Sequence, residues 1–418
     1  MADEAAGSGL LHRRRLLSLG VMSAGAATAG AAHAADSIGA GSPVWMTKPG
    51  ATMSGYGVPA HWQADVKRGF APSAISPGTG GSRTPIQLLE GAITPSGLHF
   101  ERHHNGVPDI DPARHQLLLH GMVRQPLVFT LESLLRYPMT SRVRFIECAG
   151  NSGAQSRDVT PTQTTAGDLN GLIASSEWTG VKLSTLLDEA GVAAGAAWVI
   201  AEGTDAAGMS RSIPLSKCMD DAMVALFQNG EMIRPEQGYP MRLLLPGYQG
   251  NANVNWLRRL KVVASPAHTK DETSRYSELM PDGRSREFML VMAVKSVITK
   301  PSFGLTLKGP GFYEISGLAW SGDGRIRRVE VSADGGKSWA DAALTEPVLS
   351  KAVVRFRAPW NWNGGPATMM SRAHDDTGAV QPTRAAWIAQ YAPGQGYHFN
   401  AIQAWGVSPD GKVANVFA

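Results

Sequence analysis

Cysteine is nearly absent from this 418-residue sequence, which holds only Cys148 and Cys218. Two thiols cannot build a disulfide scaffold, a four-cysteine zinc site or a protein-ligated iron–sulfur cluster. Charge is scarce too, at 18% of residues with a net charge of +4. Beyond residues 1–34 there is no Lys/Arg-rich run, so the footprint of a nucleic-acid binder is missing. No later apolar run is long enough to span a bilayer. What is present, 43% apolar residues with 47 glycines and 26 prolines, is the composition of a globular chain. The length predicts two or three domains, each burying its own core.

The N-terminus reads as a targeting segment. His12-Arg13-Arg14-Arg15 precedes an apolar stretch from Leu16 to Ala32 rich in Ala, Gly and Leu, which ends in Ala32-His33-Ala34. Basic head, short weakly apolar core and small-x-small cut site occur in the order of a signal peptide. Arg13-Arg14-x-Leu-Leu resembles the twin-arginine signal, whose route exports folded, cofactor-loaded proteins. The expectation is a leader over 1–34 and a mature periplasmic chain beginning at Ala35.

Residues 35–83 are dense in Gly, Pro and Ser, with aromatics at Trp45, Tyr56, Trp62 and Phe70. They read as an extended arm wrapped over the body. Residues 84–285 mix strand-like runs (116–120, 143–146) with short helical ones such as 183–190, which Gly191 should stop. That mixture predicts an α+β domain. From residue 286 to 418 the pattern becomes period-two alternation at 313–320 and 326–332, bracketed by turns at Gly322-Asp323-Gly324 and Asp334-Gly335-Gly336. Strands joined by Asp-Gly turns predict an immunoglobulin-like β-sandwich.

Cys148 follows a predicted strand and opens Cys148-Ala149-Gly150-Asn151. Small residues there let an object crowd the sulfur. Taken alone, an inert buried thiol is the commoner fate of a free cysteine, and Cys218 reads that way.

Phe145-Ile146-Glu147-Cys148-Ala149-Gly150-Asn151 resembles the molybdenum-ligand segment of the sulfite oxidase family. Other stretches agree in order: 100–104, 177–181, Gly238-Tyr239-Pro240-Met241-Arg242, Leu245-Pro246-Gly247 and 254–257. In the sandwich, 317–320 and 329–336 resemble the family's dimerisation domain. The resemblance covers nearly all of 85–418. It implies a molybdenum–molybdopterin cofactor with one pyranopterin dithiolene, and Cys148 as metal ligand, since thiolate is a soft donor suited to such a site. It implies Arg102 and Tyr276 in the substrate pocket, where a permanently charged guanidinium suits an oxyanion. It assigns His103, His104, Asp205, Gln237, Arg242, Asn253 and Asn255, with Cys148, to cofactor binding.

The sequence departs from the family's sulfite oxidisers at several positions. An arginine pair after the cysteine motif is Ser152-Gly153, a histidine is Gln237, and a lysine is Asn255. These changes predict a more open, less positive pocket, with Ser152 and Gly153 as small residues at its rim. Within the family, the pattern most resembles molybdenum subunits of sulfane dehydrogenases of the Sox sulfur-oxidising system. That implies a substrate sulfur carried on a partner protein, as in thiosulfate oxidation, with sulfite dehydrogenase on free sulfite as the alternative. An exported, non-catalytic binding or scaffold protein is the alternative from a different class. Neither cysteine lies in Cys-x-x-Cys-His, so no haem is expected in this chain, and electrons should pass to a c-type cytochrome subunit. A homodimer through the sandwich follows from resemblance.

Overall fold

Two sheets build the first domain. One is mixed, in the order Ser210–Pro214, Trp198–Gly203, Leu257–Val263, Gln116–Gly121 and Leu127–Thr130, with only the Leu257–Val263/Gln116–Gly121 pair parallel. The other is antiparallel: Glu231–Met232, Met223–Gln228, Ile173–Lys182 and Met139–Glu147, with Arg242–Leu244 also on Met223–Gln228. The computed structural model describes residues 4–11, 43–72 and 78–417.

Between these sheets lies a core of Leu117, Leu119, Val181, Val224 and Leu226 with the helix Leu183–Ala190. That helix buries Leu183, Leu186, Leu187 and Ala190, the i, i+3, i+4, i+7 stripe of an amphipathic helix. It ends as expected at Gly191, whose φ of 69° lets its N–H turn back to the carbonyls of Leu187 and Asp188. At eight residues it is the longest helix among the described residues, so the α+β domain is mostly sheet. A small sheet of Gly69–Pro72, Gly80–Arg83 and Glu101–His103 carries Arg102 and His103.

The second domain is a β-sandwich. Lys295–Lys300, Gly311–Trp320 and Val354–Trp362 form one sheet, and Ile326–Ser332, Ala367–Asp375, Ala404–Val407 and Val413–Val416 the other. The two runs expected to alternate are strands Gly311–Trp320 and Ile326–Ser332. Trp320, Phe356, Trp360 and Trp405 lie fully buried between the sheets.

Each domain buries a core of its own, but the two are not separate. Phe145, Ala166, Leu169 and Ile173 of the first domain belong to the same buried cluster as the sandwich tryptophans. Strand Met139–Glu147 is the edge of its sheet, and the sandwich covers the Phe145 side of it.

Of the expected leader, Arg13, Arg14 and the apolar stretch lie outside the described residues. Residues 4–11 are described: Glu4–Ala6 and Leu10–Leu11 form a hairpin on the edge of Val354–Trp362. Leu10 is 1% exposed, the Trp360 indole N–H donates to the Ser8 carbonyl at 2.6 Å, and the Asn361 N–H to Gly9 at 2.7 Å. Gly9 has φ +88°, and a Cβ there would fall 1.9 Å from the Asn361 carbonyl oxygen, so only glycine fits. Leu10→Asp is expected to destabilise the full-length chain by about 1.5–3 kcal/mol, the burial of one leucine side chain. Urea unfolding checks this, and an unchanged midpoint would show that the segment is not docked.

The arm does not bury its aromatics. Trp45, Tyr56, Trp62 and Phe70 are 66–84% exposed. Its ties are polar instead: the Tyr56 hydroxyl donates to the Glu231 carboxylate at 3.1 Å, and Arg68 meets Glu101 and the His99 carbonyl.

Candidate active site

Cys148 sits one residue past strand Met139–Glu147, where the chain turns tightly. Its N–H donates to the Leu172 carbonyl at 2.9 Å, and its own carbonyl accepts from Asn151 at 2.9 Å. The sulfur faces a pocket of about 740 Å³. All ten residues named from the sequence line it: Arg102, His103, His104, Cys148, Asp205, Gln237, Arg242, Asn253, Asn255 and Tyr276.

They are not chemically equivalent. Asn253 uses its amide on backbone, accepting from Leu245 N–H at 2.6 Å and donating to the carbonyls of Tyr248 and Gln249. Gln237 donates to Phe100 at 2.9 Å. Arg242 is buried over the Trp178 ring and donates to the carbonyls of Gln237 and Asn253. Burial lowers its pKa to about 9. These three form the pocket wall. His103 Nδ1, Arg242 Nε and Asn255 Oδ1, by contrast, are buried and lack a partner. Unpartnered buried polar atoms cost free energy, so a wall bearing several of them is made for a polar occupant.

Around the mouth, Arg102 is exposed while Tyr276 is 8% exposed. The Tyr276 hydroxyl lies 3.2 Å from His104 Nε2, and Arg275 approaches His104 Nδ1 at 3.4 Å. Burial, then the charges of Arg102, Arg275 and Lys270, depress His104 to about 4, which keeps the ring neutral. Burial raises the Tyr276 phenol far above its ordinary value, so it remains a donor. Burial also raises the Cys148 thiol, opposed by the Gly150 backbone and by Arg102. Cys218 is buried in the first-domain core and pushed up to about 12, the inert thiol expected of it.

Sequence reasoning missed the supports of this site. Arg211, fully buried, pairs with Glu272 through two hydrogen bonds of 3.1 and 3.0 Å, and its guanidinium lies 5.1 Å from the Tyr276 ring centroid. Breaking such a pair strands a buried charge. Arg211→Met is therefore expected to cost about 3–5 kcal/mol of stability. Denaturant titration tests it, and a loss below about 1 kcal/mol, the scale of a surface pair, would contradict a buried pair. Ser152, Trp256, Tyr276 and His398 all adopt positive φ, between 51° and 64°. Such conformations in non-glycine residues gather where surrounding structure holds a site in place. No local signal in the sequence marks them.

Ser152 and Gly153 do not form an open rim. Ser152 is 6% exposed; its hydroxyl donates to Asn170 at 2.6 Å and accepts from Lys295 at 2.8 Å. A Cβ on Gly153 would fall 1.8 Å from the Gly396 carbonyl oxygen. Neither residue lines the pocket. The sandwich packs against both, so their small size serves the domain contact rather than substrate access.

Glu147, beside the cysteine, is 1% exposed and held by three donors: Lys295 Nζ at 3.3 Å, Asn151 Nδ2 at 2.9 Å and Trp320 Nε1 at 2.7 Å. Among the described residues, no group of three or more His, Cys, Asp or Glu side chains is placed to hold a metal ion. A metal at Cys148 would need most of its donors from a cofactor.

Comparison with known proteins agrees with this geometry. Residues 104–270 match the oxidoreductase molybdopterin binding domain, and residues 286–404 the Mo-co oxidoreductase dimerisation domain. The fold superposes on the sulfane dehydrogenase SoxCD from Paracoccus pantotrophus with a TM-score of 0.88 and 44% identity, covering 91% of this chain and 98% of that one. Sulfite oxidase of Gallus gallus is 31% identical over 73% of this chain and 71% of its own length. The mitochondrial sulfite oxidase of Mus musculus is 30% identical over 73% of this chain, which spans 60% of that relative's length. The chain belongs to the sulfite oxidase family of molybdopterin-binding oxidoreductases.

Proposed function

We propose that the chain is a molybdenum-dependent dehydrogenase that oxidises sulfane sulfur carried on a partner protein and passes the electrons to a c-type cytochrome subunit. The observation that carries the reading is one pocket lined by several charged and polar side chains with a single cysteine among them, in a fold that superposes at 44% identity on a sulfane dehydrogenase.

The residues fit the cofactor. Cys148 would give the one protein sulfur, and the unpartnered atoms of His103, Arg242 and Asn255 would meet the polar edges of the pterin and its phosphate. When bound, the cofactor supplies the redox chemistry, which the side chains of this pocket do not perform alone. Each oxygen added to sulfur from water releases two electrons and two protons. Arg102 attracts the anionic sulfur group at the mouth and offsets charge that builds on its oxygens. Tyr276 donates from its hydroxyl, and its oxygen accepts from the Nε2–H of neutral His104 at 3.2 Å, whose Nδ1 faces the Arg275 guanidinium, so His104 orients the phenol. Tyr276→Phe should slow turnover more gently than removal of Arg102, because one hydroxyl is lost and water replaces it.

The second reading, dehydrogenation of free sulfite, has the sulfite oxidases at 30–32% identity in its favour. Steady-state rates on free sulfite and on a persulfidated carrier protein separate the two. High activity on sulfite alone would overturn our preference.

The twin-arginine order in residues 13–14 supports export of the folded protein to the periplasm. Replacing both arginines by lysine should leave precursor in the cytoplasm, as fractionation would show. The dimerisation-domain match supports a homodimer through the sandwich. The cysteine spacing supports a haem on the partner rather than here, so the isolated chain should show no Soret band.

A further inference from the structure

We infer that Lys295, on the first strand of the sandwich, is a positioning residue that clamps the Cys148 loop from the neighbouring domain. Its ammonium donates to Glu147 Oε1 at 3.3 Å, to Ser152 Oγ at 2.8 Å and to the Phe399 carbonyl at 2.9 Å. Glu147 and Ser152 flank the Cys148-Ala149-Gly150-Asn151 turn, so one cation ties down both of its ends. An ammonium has three donors, and here two go to the ends of this turn and the third to the sandwich at Phe399.

Two more groups of the sandwich act on the same turn. Trp320 lies directly across the ladder from Lys295, and its indole N–H donates to the other oxygen of Glu147 at 2.7 Å. The His398 N–H donates to the Ala149 carbonyl at 2.8 Å. Within the turn, Asn151 links Glu147 to the Leu172 N–H. The ends of the cysteine turn are thus fixed largely by the sandwich.

Packing alone does not call for this arrangement. Lys295 and Glu147 are each no more than 2% exposed, and a buried ion pair is often no more stabilising than apolar side chains of equal size. The pair adds direction: a fixed carboxylate one residue before the sulfur, with all of its donors defined. Outer partners of a metal ligand typically govern affinity or activity by about 10–100-fold, because they set the donor's orientation.

The clamp rests on geometry; its effect on the metal rests on Cys148 being the ligand, and the experiment separates the two. The full-length chain is prepared free of cofactor as wild type, Lys295→Met, Ser152→Ala and Arg355→Leu. Arg355 also joins the sandwich to the first domain, through the carbonyls of Leu89 and Gly91, away from the turn. Alkylation of Cys148 by iodoacetamide is followed by mass spectrometry. We expect Lys295→Met to raise the rate by at least about tenfold, the lower end of the effect of an outer partner. Ser152→Ala should raise it less, and Arg355→Leu should leave it unchanged while lowering the melting temperature. Should Lys295→Met not fold, Ser152→Ala carries the test. Rates equal to wild type in the folded variants would overturn the clamp.

In the cofactor-loaded protein, the Mo(V) paramagnetic resonance signal should shift in Lys295→Met, with kcat lowered and KM unchanged. A faster alkylation with an unshifted signal would support the clamp and contradict Cys148 as the ligand.

Discussion

Cys148→Ser is expected to abolish turnover while the chain stays folded. The loss should exceed about 100-fold, the upper range for an outer partner, since here the direct donor itself is changed. A hydroxyl is harder and less electron-rich than a thiolate, so it holds the metal poorly in a sulfur-rich shell. Serine fits the turn, and the Leu172 and Asn151 bonds use only the backbone of residue 148, while the side chain also packs against the cluster of Phe100, Ile146 and Trp178. Unfolding curves should therefore show a folded chain, destabilised by no more than about 1–3 kcal/mol, the cost of a buried hydroxyl. Serine protein with wild-type turnover would refute the ligand assignment, and serine protein that fails to fold would mean that the sulfur has a packing role.

Arg102→Gln should lower kcat/KM by about 100- to 1000-fold, the usual effect of removing one aligned donor to developing charge. The guanidinium is the exposed cation of the pocket mouth, held by the His103 carbonyl at 2.5 Å and the Gly80 carbonyl at 3.3 Å. Both bonds come from the small sheet, so the side chain is aimed before substrate arrives. Loss in KM alone would mean binding without transition-state stabilisation. A neutral phenotype would place Arg102 outside the reaction.

Much of this architecture was legible because local rules agreed with the final packing. The stripe 183, 186, 187, 190 with Gly191 behind it specified a helix and its end. The Asp-Gly turns placed the strands around 313–332. Six of the ten pocket residues, Arg102, His103, His104, Cys148, Arg242 and Asn255, fall in short motifs whose order carries the family signature, the other four follow from the resemblance around them, and the fold brings all ten together.

What escaped the sequence is long-range. Lys295 reaches Glu147 across 148 positions, and Val294-Lys295-Ser296 contains nothing to distinguish a buried clamp from a solvated surface lysine. Ser152 and Gly153 read as a loosened rim, because their partners Lys295 and Gly396 lie in another domain. The shared core of Phe145 with the sandwich tryptophans depends on an edge strand being covered, which alternation cannot show. The arm's composition does not say what its aromatics touch, and in the structure they are exposed.

The central claim is that this pocket holds molybdenum with Cys148 as its protein sulfur. X-ray absorption at the molybdenum edge, on protein purified from a host that makes the cofactor, tests it most directly. The account predicts molybdenum in wild-type chain with a sulfur-rich shell, and a shell one sulfur poorer in Cys148→Ser. Chain that matures without molybdenum, or an identical sulfur shell in the two proteins, would contradict it.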